Sequence, residues 1–238
     1  MALRITTFHL TAKARGLSRR LICQIGKEWN EQAAAIAKYV VGLTADEVKQ
    51  VTVSSASRNE IDLASSATIG YSDIIEAIVK AMDNAKSLGA KSGDTLYLTH
   101  YTNNAKSKDA TSKGDGQTQT YATVAAITVD GDVITSMIVD AVQPTVKFNA
   151  KGEVTSDAAY VQTKNELKEA YGMAKASSIG REWYLQAESF CAYATGKTID
   201  AVMSTAVNEK GVATDVDLVS SVTLALSNFT DLIAKLAK

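Results

Sequence analysis

The 238-residue chain carries 25 Lys+Arg against 26 Asp+Glu, 46% hydrophobic residues and a single proline, Pro144. That length holds one large domain or two small ones, and the near-zero net charge gives no cation surplus for phosphates, so nucleic acid is not an expected partner. The glycine, charge and cysteine counts exclude collagen-like, disordered and disulfide-scaffold classes, and no stretch approaches the roughly 20 apolar residues of a membrane span.

In residues 1–24 the cations Arg4, Lys13, Arg15, Arg19 and Arg20 surround a short Thr/Leu-rich segment instead of preceding an apolar core, so no export signal is read here. Cys23 follows Leu21-Ile22, without the small residue that a lipid-anchor cysteine wants. From Ile25 a helical pattern begins, and it occurs twice. Ile25-Gly26-Lys27-Glu28-Trp29-Asn30-Glu31-Gln32-Ala33 returns as Ile179-Gly180-Arg181-Glu182-Trp183-Tyr184-Leu185-Gln186-Ala187. In the same register Tyr39 matches Tyr193, Gly42 matches Gly196, Thr44 matches Thr198, Asp46 matches Asp200 and Val48 matches Val202. Roughly 12 of the 29 positions from Ile25 to Val53 are identical, which points to duplication. After one inserted residue the match resumes, Asp62–Thr68 with Asp217–Thr223, and each segment closes in an amphipathic helix.

Only the second segment has a long lead. The expected organisation is therefore a leader of uncertain origin (1–24), a partial first copy holding the C-terminal portion of the unit (25–88), and a complete second copy (89–238). Because Met1–Gln24 does not resemble Asp157–Ser178, the region it should match, a truncated gene or misplaced start is expected. A strand from Arg4–Phe8, or a second chain in a homodimer, would then complete the partial copy.

In the complete copy, Asp94–Thr102 reads as a strand and the polar stretch Asn103–Gln119 as a long loop. Its Gly114-Asp115-Gly116 lacks the spacing of a calcium loop and the Lys-Ser/Thr of a phosphate loop. Ala122–Val129 and Val133–Val139 form a hairpin about Asp130-Gly131, and Thr145–Phe148 is a further strand before the Asn149–Gly152 turn. Lys164–Met173 and Ser177–Thr195 read as helices, the second stopped by Gly196. Thr198 caps a short helix to Met203, Val219–Leu224 is a brief strand, and Ser227–Leu236 closes the chain. Strands first and helices later give an α+β fold, an antiparallel sheet with helices packed on one face.

The chain has two cysteines and two histidines, scattered without zinc-ligand spacing. Cys191, in a helical pattern, reads as a core thiol. Trp29 and Trp183 read as core anchors of their helices. No Ser-His-Asp set or glycosidase pair can be placed.

One order of residues carries chemistry: Asp, two residues, Ser, small, small, Thr, then a helix start. It stands at Asp62, Ser65, Ser66, Thr68 and again at Asp217, Ser220, Ser221, Thr223. This pattern resembles the Asp-x-x-Ser-Gly-Ala-Thr motif of the FMN-binding domain family, which includes flavinylated subunits of sodium-pumping quinone reductases and exported flavoproteins of Firmicutes. Lys106–Ala110 and Tyr171-Gly172-Met173 are similar to that family too. The resemblance implies an FMN-binding-domain-like fold in an incomplete tandem repeat. It also implies FMN joined by a flavin transferase through a phosphoester to Thr68 and Thr223, electron transfer to a membrane-associated redox partner, and an extracytoplasmic or membrane-anchored place.

The chemistry fits the residue types. A threonine hydroxyl on an exposed turn, small neighbours and free N–H groups at a helix start could receive a phosphate, with Ser72 and Ser227 placed to cap the following helices. Both copies depart from the family at the glycine, which is Ser66 or Ser221; a positive φ there would strain a serine. Two functions follow, a flavin carrier or a non-catalytic surface binding or scaffold module. Either is a carrier or binding module more than a turnover enzyme.

Overall fold

Turn chemistry and apolar alternation set the architecture of the chain's C-terminal portion. The computed structural model describes residues 25–51, 66–70, 72–156 and 162–236, which fall in two compact units, 25–87 and 88–236. The suggested strand Arg4–Phe8 lies outside the described residues.

The larger unit is α+β. Strand β1 (Thr95–Asn103), β3 (Tyr121–Asp130) and β4 (Val133–Val142) form an antiparallel sheet in the order β1-β3-β4, while β2 (Gly116–Gln119) pairs with β5 (Thr145–Phe148). Ala125, Ile127, Val129, Ile134, Met137, Val139 and Ala141 point from β3 and β4 into the core. A register shift at Thr128/Val129 keeps Ile134 on that face. Such a bulge adds a residue without turning the apolar set to solvent.

Helices cover this face. α5 (Trp183–Ala194) packs on β4, and α7 (Ser227–Ile233) on β1 and β3. Phe190 and Phe229 stack with ring centroids 4.6 Å apart, and Trp183 leans on Phe229 at 6.3 Å. The short helix α4 (Lys164–Leu167) begins in a capping box, Thr163 Oγ1 accepting from Glu166 N–H and Glu166 from Thr163 N–H. Asn165 ties it to the sheet by donating to the Val139 carbonyl at 2.9 Å.

The smaller unit holds α1 (Trp29–Val40), α2 (Ala45–Lys49) and α3 (Ser72–Asp83), around a core of Ile36, Val48, Val51, Ala67 and Ile75. Its local geometry parallels α5 and α6 (Ile199–Met203) of the larger unit. Gly26 and Gly180 sit at φ 66° and 64°, and Glu28 and Glu182 stand at the N-caps of 12-residue helices. Gly42 and Gly196 sit at φ 92° and 86°, and Thr44 and Thr198 cap five-residue helices.

Several elements differ from expectation. The hairpin loop is Gly131-Asp132, because Asp130 pairs with Val133 and the positive φ falls on Gly131. Part of the polar stretch 103–119 is strand β2, made possible by Gly116, which has no side chain to meet the Phe148 ring. The helix from Ser177 starts only at Trp183, since Gly180 at φ 64° ends any earlier turn. The helix from Lys164 breaks after Leu167 into two 3₁₀ turns around Gly172 at φ 74°. Val219–Leu224 is a turn, closed by Ser221 N–H and Val222 N–H donating to the Leu218 carbonyl. Leu226, not Ser227, occupies the N-cap of α7.

Candidate functional site

The motif threonines are reached from the helices that follow Gly26 and Gly180. Each helix carries one buried glutamine a turn inside its start, Gln32 on α1 and Gln186 on α5. A buried amide must satisfy both its ends, and here it does so by joining three segments. Gln186 Oε1 accepts from Thr223 N–H at 2.8 Å and from Thr223 Oγ1 at 3.1 Å, while its Nε2 donates to the Arg181 carbonyl at 2.9 Å and to Ser177 Oγ at 3.2 Å. Gln32 repeats the arrangement. Its Oε1 accepts from Thr68 N–H at 2.8 Å, from Ile69 N–H at 3.1 Å and from Thr68 Oγ1 at 3.4 Å, and its Nε2 donates to the Lys27 carbonyl at 2.8 Å. In both units the motif loop is clipped to the helix start by one side chain.

The remaining motif residues divide. Asp62 and Ser65 lie outside the described residues. Ser66 is half-buried beside buried Ala67. Asp217 and Ser220 are exposed, Asp217 N–H donating to Asp215 Oδ1 at 2.9 Å, and Ser221 turns its hydroxyl to the Leu218 carbonyl at 3.2 Å. Thr68 and Thr223 are half-buried, with their hydroxyls turned inward. Among the described residues Lys168 is the non-glycine residue at positive φ, so neither Ser66 nor Ser221 is strained in that way. Around α7, Leu226 N–H bonds to the Gly211 carbonyl at 2.8 Å and Phe229 N–H to the Leu226 carbonyl at 2.8 Å. These amides are already satisfied by backbone.

Gln32 and Gln186 are absent from the motif, yet they stand among the positions identical between the two segments. That identity is the signal in the sequence.

A second constellation has no such signal. Lys164 is 4% exposed, and its Nζ stands 4.5 Å from the ring centroids of Tyr121 and Tyr171 and 5.0 Å from that of Trp183. It donates to the Tyr121 hydroxyl at 3.2 Å. Burial pulls this ammonium down to about 8, against the Asp140 carboxylate, which raises it. The aromatic faces offset part of the lost hydration. Burial likewise raises the Tyr121 and Tyr171 phenols. Trp183 Nε1 and Thr123 Oγ1 are buried beside Tyr121, and both act against the rise of its phenol.

Cys191 is buried on α5, its thiol pushed up to about 12 by burial, so it is a poor nucleophile at neutral pH. Trp183 is a core anchor at 1% exposed, but Trp29 is not, at 65%; among the described residues of its unit α1 has no strand comparable to β4. Among the described residues no group of three His, Cys, Asp or Glu could hold a metal ion, and no helix is long and apolar enough to cross a membrane. A shallow hollow lined by Ser107, Lys108, Asp109, Gln117, Thr118 and Phe148 opens over the β2–β5 pair, away from the threonines in sequence. Compared with protein-family models, curated proteins and solved structures, the chain matches none.

Proposed function

We propose that this chain is a one-and-a-half-copy FMN-binding-domain-like protein in which the flavin motif has become an internal clip, and that it acts as a non-catalytic binding or scaffold module. On the same resemblance, its place is extracytoplasmic or membrane-anchored. The observation that carries this reading is the engagement of Thr223 and Thr68. A phosphoester acceptor needs an outward hydroxyl and free N–H groups for the phosphate. Here the threonine N–H of each copy already donates to a buried glutamine, and so does each hydroxyl.

The equal geometry of Gly26 and Gly180, of Gly42 and Gly196, and of the two glutamine clips supports the descent of both segments from one unit. On this reading residues 25–88 are an incomplete copy and 89–238 a complete one.

A second reading is favoured by the recurrence of the motif with both threonines in one setting. A flavin transferase would join FMN to Thr223, Thr68 or both, and the protein would pass electrons to a membrane-associated partner. Coexpression with a flavin transferase separates the two. A colourless protein of the sequence mass supports the module, and a yellow colour that survives denaturation supports the carrier.

A further inference from the structure

The β2–β5 pair and the segment that leads into it take no part in the core. None of the residues 104–119 or 143–156 belongs to either buried cluster. Phe148 is the single aromatic of these stretches. Its ring is half-buried and held against Gly116, where a Cβ would stand 2.7 Å from it. A large apolar ring left outside the core keeps part of its surface in water, a cost that a ligand removes on binding.

The walls beside this ring are fixed by backbone. Lys108 N–H donates to the Gln117 carbonyl and Gln117 N–H to the Lys108 carbonyl, each at 2.9 Å, while Gln117 Nε2 donates to the Lys106 carbonyl at 2.8 Å. Gln119 N–H donates to Ser107 Oγ at 3.0 Å. The hollow they enclose is about 320 Å³ and open to solvent on one side, within the ~300–1,000 Å³ of ligand sites. Polar side chains on its rim stand unengaged. Among the described residues neither Lys108 nor Asp109 enters an ion pair, and neither they nor Thr118 make a side-chain hydrogen bond.

This combination selects a chemistry. An anion would meet Asp109, a metal ion would meet Lys108, and an apolar molecule would cover both charges unpaired. A zwitterion would set its charges in an open, wet hollow, where ion pairs contribute little. A ring bearing neighbouring hydroxyl groups meets none of these objections. Each hydroxyl both donates and accepts, so adjacent hydroxyls can give to Asp109 and take from Lys108 and Thr118 while the C–H face of the ring lies on Phe148. We propose that this hollow binds a neutral saccharide. Its open side suits one unit of a longer glycan, with the flanking units running into solvent. The proposal gives the binding module its ligand class and rests on that reading, whose own failure is read separately, as an added flavin mass.

The test follows the amide chemical shifts of the isotope-labelled full chain. The titrants are glucose, galactose, mannose, N-acetylglucosamine, cellobiose and chitobiose, with sodium phosphate and free glycine as charged controls. At least one saccharide should move the amides of 107–109, 116–118 and 148, with a dissociation constant on the order of 1 mM. Phe148→Leu and Asp109→Ala should each weaken that binding about tenfold. Circular dichroism checks that both variants fold; if Phe148→Leu loosens the β2–β5 pair, Asp109→Ala, a change to an exposed side chain, decides. No shift with any of the saccharides overturns the proposal and, in a chain of unmodified mass, leaves the module reading standing. Binding that Asp109→Ala leaves unchanged also overturns it, as do the same amides moving equally with phosphate or with glycine.

Discussion

Gln186 does the work of several residues, and its removal should be felt across the larger unit. Gln186→Leu strands the Thr223 N–H and the Arg181 carbonyl in a buried setting, and each such group costs about 1–3 kcal/mol. A loss of about 2–6 kcal/mol is expected in urea unfolding followed by circular dichroism. An unchanged midpoint for the leucine variant would contradict the clip. Thr223→Val, which keeps the backbone N–H and removes only the hydroxyl, should cost less than Gln186→Leu.

Lys164 gives a pH signature with a definite sign. Its ordinary value is 10.5 and its value in the fold about 8. Between these the unfolded chain holds a proton that the folded chain has released, so this group makes stability rise with pH. Cys191 acts oppositely. Its thiol is held protonated to about 12 against an ordinary 9, so above pH 9 it makes stability fall as pH rises. The rise should therefore be seen between pH 8 and 9 and be blunted above it. In Cys191→Ala the rise should continue toward pH 10, where the raised Tyr121 and Tyr171 begin to oppose it. Lys164→Met should abolish the rise between pH 8 and 9 and leave the fall above pH 9 that Cys191 contributes. Urea midpoints measured at half-unit steps from pH 7.5 to 10 read all three outcomes.

At the scale of elements, the β2–β5 pair depends on one position. A Cβ at Gly116 would lie 2.5 Å from Ala110 N and 2.7 Å from the Phe148 ring, so Gly116→Ala must push strand β2 from its partner. Faster amide exchange at 116–119 and 145–148 is expected, with protection of β3 and β4 unchanged. Equal loss throughout would mean that this pair and the main sheet unfold as one.

The elements also show where sequence patterns are sufficient. β1, β3, β4 and the cap at Thr198 are legible because alternation, a glycine turn and a capping hydroxyl are local signals. The hairpin loop falls one residue later than Asp130-Gly131 suggests, because cross-strand register and not dipeptide preference sets which residue takes positive φ. The stretch Val219–Leu224 has strand-forming residues, yet Leu218 and Val222 are drawn inward on a turn. Trp183 buries as expected while Trp29, in an almost identical local sequence, does not. The difference lies in what the neighbouring chain supplies. The Lys164 site is illegible for the same reason: Tyr121, Tyr171 and Trp183 come from a strand, a 3₁₀ turn and a helix, and only the fold brings their rings to one ammonium.

At the scale of the whole molecule, the two units differ in what they can bury. The larger closes a sheet with helices over one face, and in the smaller the described residues place three helices around five buried apolar residues. A small core gives small stability. The unit 25–87 should therefore lose amide protection at lower denaturant than 88–236, and Gln32→Leu should lower only that first step while Gln186→Leu lowers the second. A single cooperative transition shifted equally by both substitutions would contradict this division.

The central claim is that Thr68 and Thr223 serve as internal fastenings and not as flavin acceptors. Its most direct test is the intact mass, with an absorption spectrum, of the chain coexpressed with a flavin transferase and FMN. The account predicts the unmodified sequence mass and no visible absorption after denaturation. A mass raised by one or two flavin phosphates, lost in Thr68→Val and Thr223→Val, would contradict it.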